Sequence, residues 1–575
     1  MKPQPARRVS LFAAPALVVL VSVAFPAGAQ VFSGQARAGV VTRVATVDIV
    51  HSSAARTSAA KNLVLASPAV LRQRGARMLQ AKIAASAAAS AKFSPASTAA
   101  QAASVQMLSA EEPGNSAVIL SNFDGVSSLD SAVTNFGLGF EPPDQGLCVG
   151  NGFVVEPVNS AYTIYKRDGS VVAGPFNVNV MFDEGLTEFT SDPRCHFDPS
   201  THTWFAIILF ISADNTNART DIAVNTSGDP TTPWTVYHLD ATDDGTNGTP
   251  VHVGCPCLGD QPLLGMDREN IYISTNEFSI LGPQANGAQI YAVSKRDLID
   301  GAANVHFVQF ENLTIAGTMA MSVQPALTSP GQDAGGEYFL QTIDPTQTVD
   351  NRLGVWALTH EEAVSDGAIP TLSSIVIDSL GFGVPPNAVQ KGSASLLTSD
   401  DDRMQQVQFI NGSLWGALNT ALNVTGSSTQ LSANAWFEIR PELRDSQIAA
   451  ATITRQGILA SPGNFLLYPA LQVAPDGEVA MVFTISGPTL FPSAAFARMS
   501  KGERSFGHIT MAAPGSGPYA PTSTRWGDYS WAVADPNGKS IWLATEYIPP
   551  LDRQTVDGLQ NWGTRVIEVS AHGDQ

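Results

Sequence analysis

The sequence predicts an all-β protein, a seven-bladed β-propeller, preceded by a signal peptide and an Ala/Ser-rich, partly helical arm. From residue 116 onward, short apolar or alternating runs end in Gly, Asp, Asn or Pro, and no long amphipathic helix interrupts them. A unit with a polar start, an apolar run, a turn and an aromatic-containing strand recurs at intervals of roughly 50–80 residues, the size of a propeller blade. Only 14% of residues are charged, which favours strands and turns with a neutral polar surface.

The repeated units begin near residues 143, 192, 260, 323, 400, 468 and 525. Asp192-Pro193-Arg194 and Asp260-Gln261-Pro262 show the polar start most clearly. Seven such units arranged around an axis would close a ring. A tandem of β-sandwiches is the alternative, because the fourth and fifth units are less regular.

Residues 1–29 predict a signal peptide. Lys2, Arg7 and Arg8 precede an apolar run, and Ala27-Gly28-Ala29 forms a small-residue cleavage site. A membrane anchor is the alternative, but prolines interrupt the run and no other segment approaches the ~20 apolar residues of a spanning helix. We therefore expect a secreted or periplasmic protein without a membrane span.

Residues 30–115 predict a basic arm or pro-segment, with a helix at about 67–92, ahead of a propeller domain at 116–575. Residues 30–110 hold nine Lys or Arg and a single acid, Asp48, whereas the whole chain has a net charge of −19. A disordered leader and an arm lying on the acidic body both fit this composition. The acidic body argues against nucleic acid as a partner, because phosphate binding needs clustered Lys and Arg.

Four cysteines in an exported chain permit disulfides. Cys148 and Cys195 occupy similar places in successive units and could pair, while Cys255 and Cys257 would close a very tight ring. Cross-pairing between the two sets is also open. A zinc site with His196 or His252 is the further alternative.

Three short motifs resemble secreted bacterial propellers of the sialidase-like, BNR-repeat superfamily. They are D-x-P-x-L-G-x-D at Asp260–Asp267, R-W-G-D-Y-S at Arg525–Ser530, and a D-P turn ahead of a tryptophan at Asp535–Trp542. The resemblance spans about residues 140–570 and implies the propeller fold. Sialidases of this superfamily carry an arginine in a Y-R-I-P start, and Tyr468-Pro469 lacks it here.

Propeller ligands usually bind over the central channel, so the polar starts of the units should converge at one face. The candidate catalytic residues are Asp192, Asp260, Asp528 and Tyr529. The candidate ligand-binding residues are Arg194, Arg403 and Arg525. Carboxylates can serve as acid, base or nucleophile, and arginines can hold an anionic sugar. The alternative is that these aspartates fix the register between neighbouring blades.

An oxygen-rich turn predicts a calcium site, with an exposed acidic turn as the alternative. Its candidate ligands are Asp240, Asp243, Asp244 and Asn247. The spacing and terminal Glu of an EF-hand are missing.

Two classes of function remain open at this level. The first is a non-catalytic propeller that recognises a glycan or an extracellular protein through its channel-mouth loops, favoured by the missing arginine. The second is a secreted glycoside hydrolase or polysaccharide lyase that uses the Asp, Arg and Tyr residues of the channel mouth. The chain has no G-x-S-x-G, Walker or H-E-x-x-H motif that would favour other enzyme classes.

Overall fold

The computed structural model describes most of the chain, and the following account is confined to those residues. They are 29–32, 36–52, 105–111, 118–137, 140–186, 188–332, 334–346, 349–424, 429–519, 525–555 and 560–571. The predicted signal peptide and the predicted helix at about 67–92 lie outside the described residues.

The described residues are mostly β. The N-terminal strands are β1 Gln30–Val31, β2 Ala36–Val47, β3 Val105–Met107, β4 Ala110–Glu111 and β5 Ile119–Ser127. The next strands are β6 Cys148–Gly150, β7 Phe153–Pro157, β8 Ala161–Lys166, β9 Val171–Asn177, β10 Phe189–Asp198, β11 Thr203–Ile211, β12 Ala218–Asn225, β13 Trp234–Asp240, β14 Cys257–Met266, β15 Asn270–Ser279, β16 Ala285–Ser294 and β17 Asn304–Phe310.

The second half of the chain continues in the same way. Its strands are β18 Thr314–Ile315, β19 Thr318–Met319, β20 Gln324–Thr328, β21 Glu337–Thr342, β22 Asp350–Thr359, β23 Thr371–Phe382, β24 Val407–Ile410, β25 Ser413–Asn423, β26 Gln430–Arg444, β27 Gln447–Ala460, β28 Phe465–Val473, β29 Val479–Gly487, β30 Leu490–Met499, β31 Ile509–Ala513, β32 Trp531–Ala534, β33 Ser540–Tyr547 and β34 Gly563–Ser570. The helices are short: α1 Ser128–Thr134 and α2 Lys295–Ile299, with 3-10 turns at Val178–Phe182, Thr246–Gly248, Glu361–Asp366 and Leu551–Arg553. Among the described residues, no helix is both long and apolar enough to cross a membrane.

Successive strands pair into four-stranded antiparallel meanders. The meanders are β6–β9, β10–β13, β14–β17, β20–β23, β24–β27 and β28–β31, and the last one joins β32–β34 to the N-terminal strand β5. In that last meander, Val566 of β34 lies opposite Phe123 of β5. The chain therefore completes its final sheet with a strand from near its beginning.

The first strands of the meanders form a closed ring. Each first strand contacts the first strand of the next meander, and β32 of the last meander contacts β6 of the first. Between neighbouring meanders lie separate apolar layers; Tyr162 and Ile164, for example, pack against Trp204 and Trp234 of the next sheet. Four-stranded meanders that pack face to face around a common axis are the architecture of a β-propeller.

The N-terminal segment pairs with the outer edges of these sheets. β2 lies antiparallel to both β13 and β17, so that Val47 is opposite Trp234 and Ala36 is opposite Phe310. Strand β2 is rich in β-branched residues, which favour strands, and its buried side chains are those of Val41 and Val47. Sequence reasoning treated this segment as part of a low-complexity arm and missed the strand.

Shorter pieces of the same segment extend other sheets. β1 pairs with β23, whereas β3 and β4 run parallel to β27 and β31. The described parts of residues 30–111 thus lie on the acidic body as added outer strands. We call the strands β1 and β2 together, residues 30–47, the N-terminal strap.

Candidate functional site at the channel mouth

A residue with positive φ lies within the first strand of most meanders, or two to seven residues before it. In the described residues these are Asp144 (φ 45°), Asp192 (φ 59°), Gln261 (φ 50°), Ser322 (φ 50°), Asp400 (φ 53°) and Tyr468 (φ 51°). This left-handed conformation is costly for side chains with a Cβ and is concentrated at functional sites. In three of the meanders it coincides with a register shift in the first strand, which re-aims the neighbouring side chains.

Asparagines of the preceding meander hold several of these backbones in place. The backbone N–H of Asp192 donates to Asn159 Oδ1 at 2.7 Å, and the N–H of Ser322 donates to Asn276 Oδ1 at 2.7 Å. The N–H of Tyr468 donates to Asn419 in the same manner. Sequence reasoning missed these asparagines; the signal would have been an Asn in the second strand of the first, third and fifth meanders, or just after it.

Three aspartates from different meanders meet at this face of the ring. Asp144, Asp192 and Asp528 each place a carboxylate oxygen within 4.8 Å of the other two. Asp144 accepts hydrogen bonds from the backbone N–H of Asp528 at 2.8 Å and from Asn159 Nδ2 at 2.7 Å. The structure thus brings together Asp192 and Asp528 of the predicted catalytic set and adds Asp144, which the repeat pattern also places at the channel mouth.

The three carboxyl groups differ in exposure, and burial raises the pKa of two of them, Asp144 and Asp528. Asp144 and Asp192 are 2% exposed, whereas the Asp528 side chain is 21% exposed. Burial, followed by the charges of Asp528 and Asp192, raises the pKa of Asp144 well above its usual value. Burial also raises the pKa of Asp528, although Arg525 opposes the shift. The cluster therefore retains protons to a higher pH than isolated aspartates would.

Two of the three predicted ligand-binding arginines are paired with neighbouring carboxylates. Arg403 donates through Nε to Asp401 Oδ1 at 2.7 Å and through Nη2 to Asp401 Oδ2 at 2.6 Å. Arg403 also donates to Gln261, and Arg525 donates to Asp528. The contact with Gln261 links the fifth meander to the third, whereas Arg525 and Asp528 belong to the same meander. Both guanidinium groups are thus already engaged by side chains of the protein.

Arg194 is in a different situation. It is 2% exposed, and its Nε and Nη1 atoms have no hydrogen-bond partner among the described residues. Its Cζ lies 3.0 Å from the centre of the Tyr529 ring and 4.8 Å from that of Trp531. The Tyr529 hydroxyl is likewise buried without a partner. The cation is therefore held by aromatic faces while two of its donors remain available.

Asp260 is separate from this cluster. It lies on β14 opposite Asn276, and it is not among the carboxylates that meet Asp144. Gln261, the next residue, is the one from this meander that reaches the channel mouth, through its contact with Arg403.

The predicted calcium ligands are divided between two places. Asp240 Oδ2 accepts from Asn247 Nδ2 at 2.8 Å, and Asp244 Oδ1 accepts from the N–H of Thr246 at 2.9 Å. Asp243 turns away from this turn and is fully buried. The calcium site remains a prediction for Asp240, Asp244 and Asn247, while Asp243 belongs to a second cluster.

The cysteines form two disulfides, one within and one between the repeated units. Cys148 of β6 bonds Cys195 of β10, with Cα atoms 5.5 Å apart, and Cys255 bonds Cys257, with Cα atoms 4.4 Å apart. Of the pairings that the sequence left open, the structure therefore has the one in which Cys148 pairs with Cys195 and Cys255 with Cys257. Both pairs are oxidised here, so they offer no thiolate to the zinc site that the sequence left as an alternative.

No protein-family model matches this chain, and no curated protein matches it. Among solved structures, it is similar to the GH93 α-L-arabinofuranosidase of Fusarium graminearum, with 10% identity and a TM-score of 0.32 over 77% of this chain and 97% of that one. An α-L-arabinanase of Penicillium chrysogenum matches with 9% identity and a TM-score of 0.31 over 77% and 98%. The endosialidase of phage phi92 matches with 9% identity and a TM-score of 0.34 over 79% and 69%. At this similarity, the chemistry of this chain has to be judged from its own side chains.

Proposed function

We propose that this chain is an exported, seven-bladed β-propeller that hydrolyses an anionic glycan at its channel mouth. The observation that carries the proposal is the meeting of Asp144, Asp192 and Asp528 within 4.8 Å. The seven four-stranded meanders of the described residues are then the seven blades. The two disulfides support export, since such bonds persist in oxidising compartments.

The spacing of the carboxylates supports glycosidic chemistry of one kind. Retaining glycosidases hold their two carboxyl groups about 5–5.5 Å apart, whereas inverting enzymes separate them by about 6.5–9.5 Å to admit a water. Carboxylate oxygens that all lie within 4.8 Å of one another are too close for the inverting spacing and are nearer to the retaining one. The proposed reaction is therefore hydrolysis with retention at the anomeric carbon.

The different environments of the three aspartates suggest their roles. Asp528 is the most exposed of the three and is paired with Arg525, whose charge opposes the rise in its pKa, so we assign it as the ionised carboxylate that meets the anomeric carbon. Asp192, buried in the same cluster, is the carboxyl group left to serve as the proton donor to the leaving oxygen. Asp144, buried and hydrogen-bonded to the Asp528 backbone, acts as a positioning residue. Two carboxyl groups kept in different protonation states are what general acid catalysis requires.

Arg194 supports an anionic substrate. A buried guanidinium group with unpartnered nitrogens is unfavourable unless an anion completes its hydrogen bonds. A sugar carboxylate can accept two parallel N–H bonds from one guanidinium. Tyr529 beneath it contributes a hydroxyl group to the same site.

The test measures product release and binding separately on the full mature chain. Sialosides, uronic-acid oligosaccharides and neutral arabinan are offered to the wild type and to the Asp528→Asn and Asp192→Asn variants. We expect release of reducing sugar from an anionic substrate by the wild type, and a loss of at least about 100-fold in each variant with binding retained. Asp214→Asn, in an exposed turn, is the matched control and should keep full activity.

Two outcomes would contradict the proposal. Binding of an anionic glycan by the wild type without product release would favour the non-catalytic binding protein that the sequence first suggested. Equal activity in Asp528→Asn and wild type would remove the carboxylate cluster from the reaction.

A further inference from the structure

A second cluster of titratable side chains lies in the third meander, in and beside the loop that connects β13 to β14. His252, in that loop, is surrounded by carboxylates from its own loop and from two other chain segments. Its Nδ1 lies 2.9 Å from both Glu277 oxygens and 3.7 Å from Asp243 Oδ2, and its Nε2 lies 2.9 Å from Glu311 Oε2. This cluster is separate from the channel-mouth aspartates and plays no part in the proposed hydrolysis.

The two sides of the imidazole ring face different environments. On the Nδ1 side, Asp243, His252 and Glu277 each place one donor atom within 4.8 Å of the others. Asp243 is 0% and Glu277 1% exposed. On the Nε2 side, the Glu311 side chain is 23% exposed and leads toward solvent.

One buried atom of this cluster lacks a partner. Asp243 Oδ1 has no hydrogen-bond partner among the described residues, while Oδ2 accepts from Gln309 Nε2 at 3.2 Å. A buried carboxylate oxygen without a partner needs a cation or a donor to compensate its desolvation. Three carboxyl groups surround a single imidazole, so donor atoms for a cation are in excess.

We propose that Asp243, His252 and Glu277 bind a divalent transition-metal ion, with Zn²⁺ as the representative. His252 Nδ1, one oxygen of Asp243 and one of Glu277 would be the ligands. Zinc bonds of about 2.0–2.1 Å in a tetrahedral site place donors about 3.3 Å apart. The 2.9 and 3.7 Å separations around Nδ1 bracket that distance.

Glu311 completes the arrangement as an outer partner. Metal-bound histidines generally donate their other ring N–H to a carboxylate, which fixes the tautomer and the ring orientation. Glu311 Oε2 accepts from Nε2 at the required distance. Because an imidazole nitrogen belongs to the set, a borderline metal such as zinc fits it better than calcium, which prefers oxygen ligands.

The experiment uses the full mature chain without a histidine tag and without reductant. Reduction would free Cys255 and Cys257, whose Sγ atoms lie within 4.8 Å of the Glu277 carboxylate and would add thiolate ligands. Metal content is measured after dialysis against Zn²⁺ and Ca²⁺, and Zn²⁺ binding is titrated calorimetrically. We expect one Zn²⁺ per chain, a rise in melting temperature with Zn²⁺, and little response to Ca²⁺.

Single substitutions test whether the ion binds at these residues. His252→Ala and the nearly isosteric Asp243→Asn should each weaken Zn²⁺ binding at least 10-fold, and Glu311→Gln should weaken it less. His306→Ala is the matched control, since His306 in the same meander contacts the single carboxylate of Asp297 at 2.7 Å. If the wild type takes up no Zn²⁺, or if Asp243→Asn binds it as tightly as the wild type, the proposal is overturned.

Discussion

The channel mouth and the outer rim of this protein are stabilised in opposite ways. At the mouth, individual side chains hold the backbone in place: residues with positive φ such as Asp192, asparagine side chains that accept backbone N–H groups, and Arg403, which donates to Gln261 of another meander. At the rim, the N-terminal strap contributes mainly backbone hydrogen bonds to β13, β17 and β23. A single substitution should therefore change stability or binding at the mouth, whereas at the rim only the removal of a whole strand should have a large effect.

The same comparison distinguishes residues that stabilise the fold from residues that we propose to act on a ligand. The strap covers strand edges that would otherwise expose unpaired backbone groups, a risk that many β proteins reduce in this way. The mouth concentrates buried carboxyl groups with raised pKa values, which is typical of functional sites. The following predictions test this contrast, beginning with the largest expected effect.

Deletion of the strap should have the largest effect on stability. A chain that lacks residues 30–47 loses the buried side chains of Phe32, Val41 and Val47. At about 1.5–3 kcal/mol for each fully buried side chain, the free energy of unfolding should fall by about 5 kcal/mol. Urea unfolding measures this against the chain that begins at Gln30, the predicted mature protein. Release of an intact strap by 1 M salt would instead show that charge attraction holds it.

Replacement of Arg403 should destabilise the fold much more than replacement of Arg194. Arg403→Met leaves the largely buried Asp401 without its partner and should cost about 3 kcal/mol. Arg194→Met keeps the packing on Tyr529 and removes two unpartnered nitrogens, so its urea midpoint should be nearly unchanged. Its affinity for an anionic glycan should fall about 10-fold or more. Equal destabilisation by both substitutions would show that Arg194 is structural too.

The junction between β5 and the first meander should depend on pH. Glu156 is fully buried and accepts from the N–H of Val126 in β5 at 2.8 Å. Burial, opposed by hydrogen bonds from Thr564 and Val126, raises the pKa of Glu156 from 4.5 to about 7. The folded state therefore holds a proton that the unfolded state has released. The resulting stability is fully present below about pH 4.5 and is lost as the pH rises through 7.

Glu156→Gln isolates this contribution. Between pH 4.5 and 7.5, the free energy of unfolding of the wild type should decrease by about 3 kcal/mol more than that of the variant. Chemical denaturation at a series of pH values measures the difference. Parallel pH profiles for the two proteins would show that Glu156 does not titrate in this range.

Much of the propeller architecture could be predicted from the sequence, because period-two strands and turn residues are local signals. The polar starts of the units also predicted that their aspartates share one face; Asp192 and Asp528 meet there, whereas Asp260 does not join them. Pairing between distant segments left no such signal: β2 lies more than 180 residues before its partner β13 in the chain. Its alternating valines and threonines were visible, but the surrounding Ala/Ser-rich segment concealed them.

The sequence by itself determined the repeat and the turn chemistry and placed Asp192 and Asp528 at the channel mouth, since each follows from short-range patterns of apolar and polar residues. Only the tertiary structure decided which charges are compensated. Arg403 and Arg525 are paired with carboxylates, whereas Arg194 lies on an aromatic ring. Asp243 contacts His252 and Glu277 rather than the other acidic residues of its turn. The physical reason is that burial and charge pairing depend on which side chains the closed ring brings together. These side chains are far apart in the sequence, so local patterns do not predict their contacts.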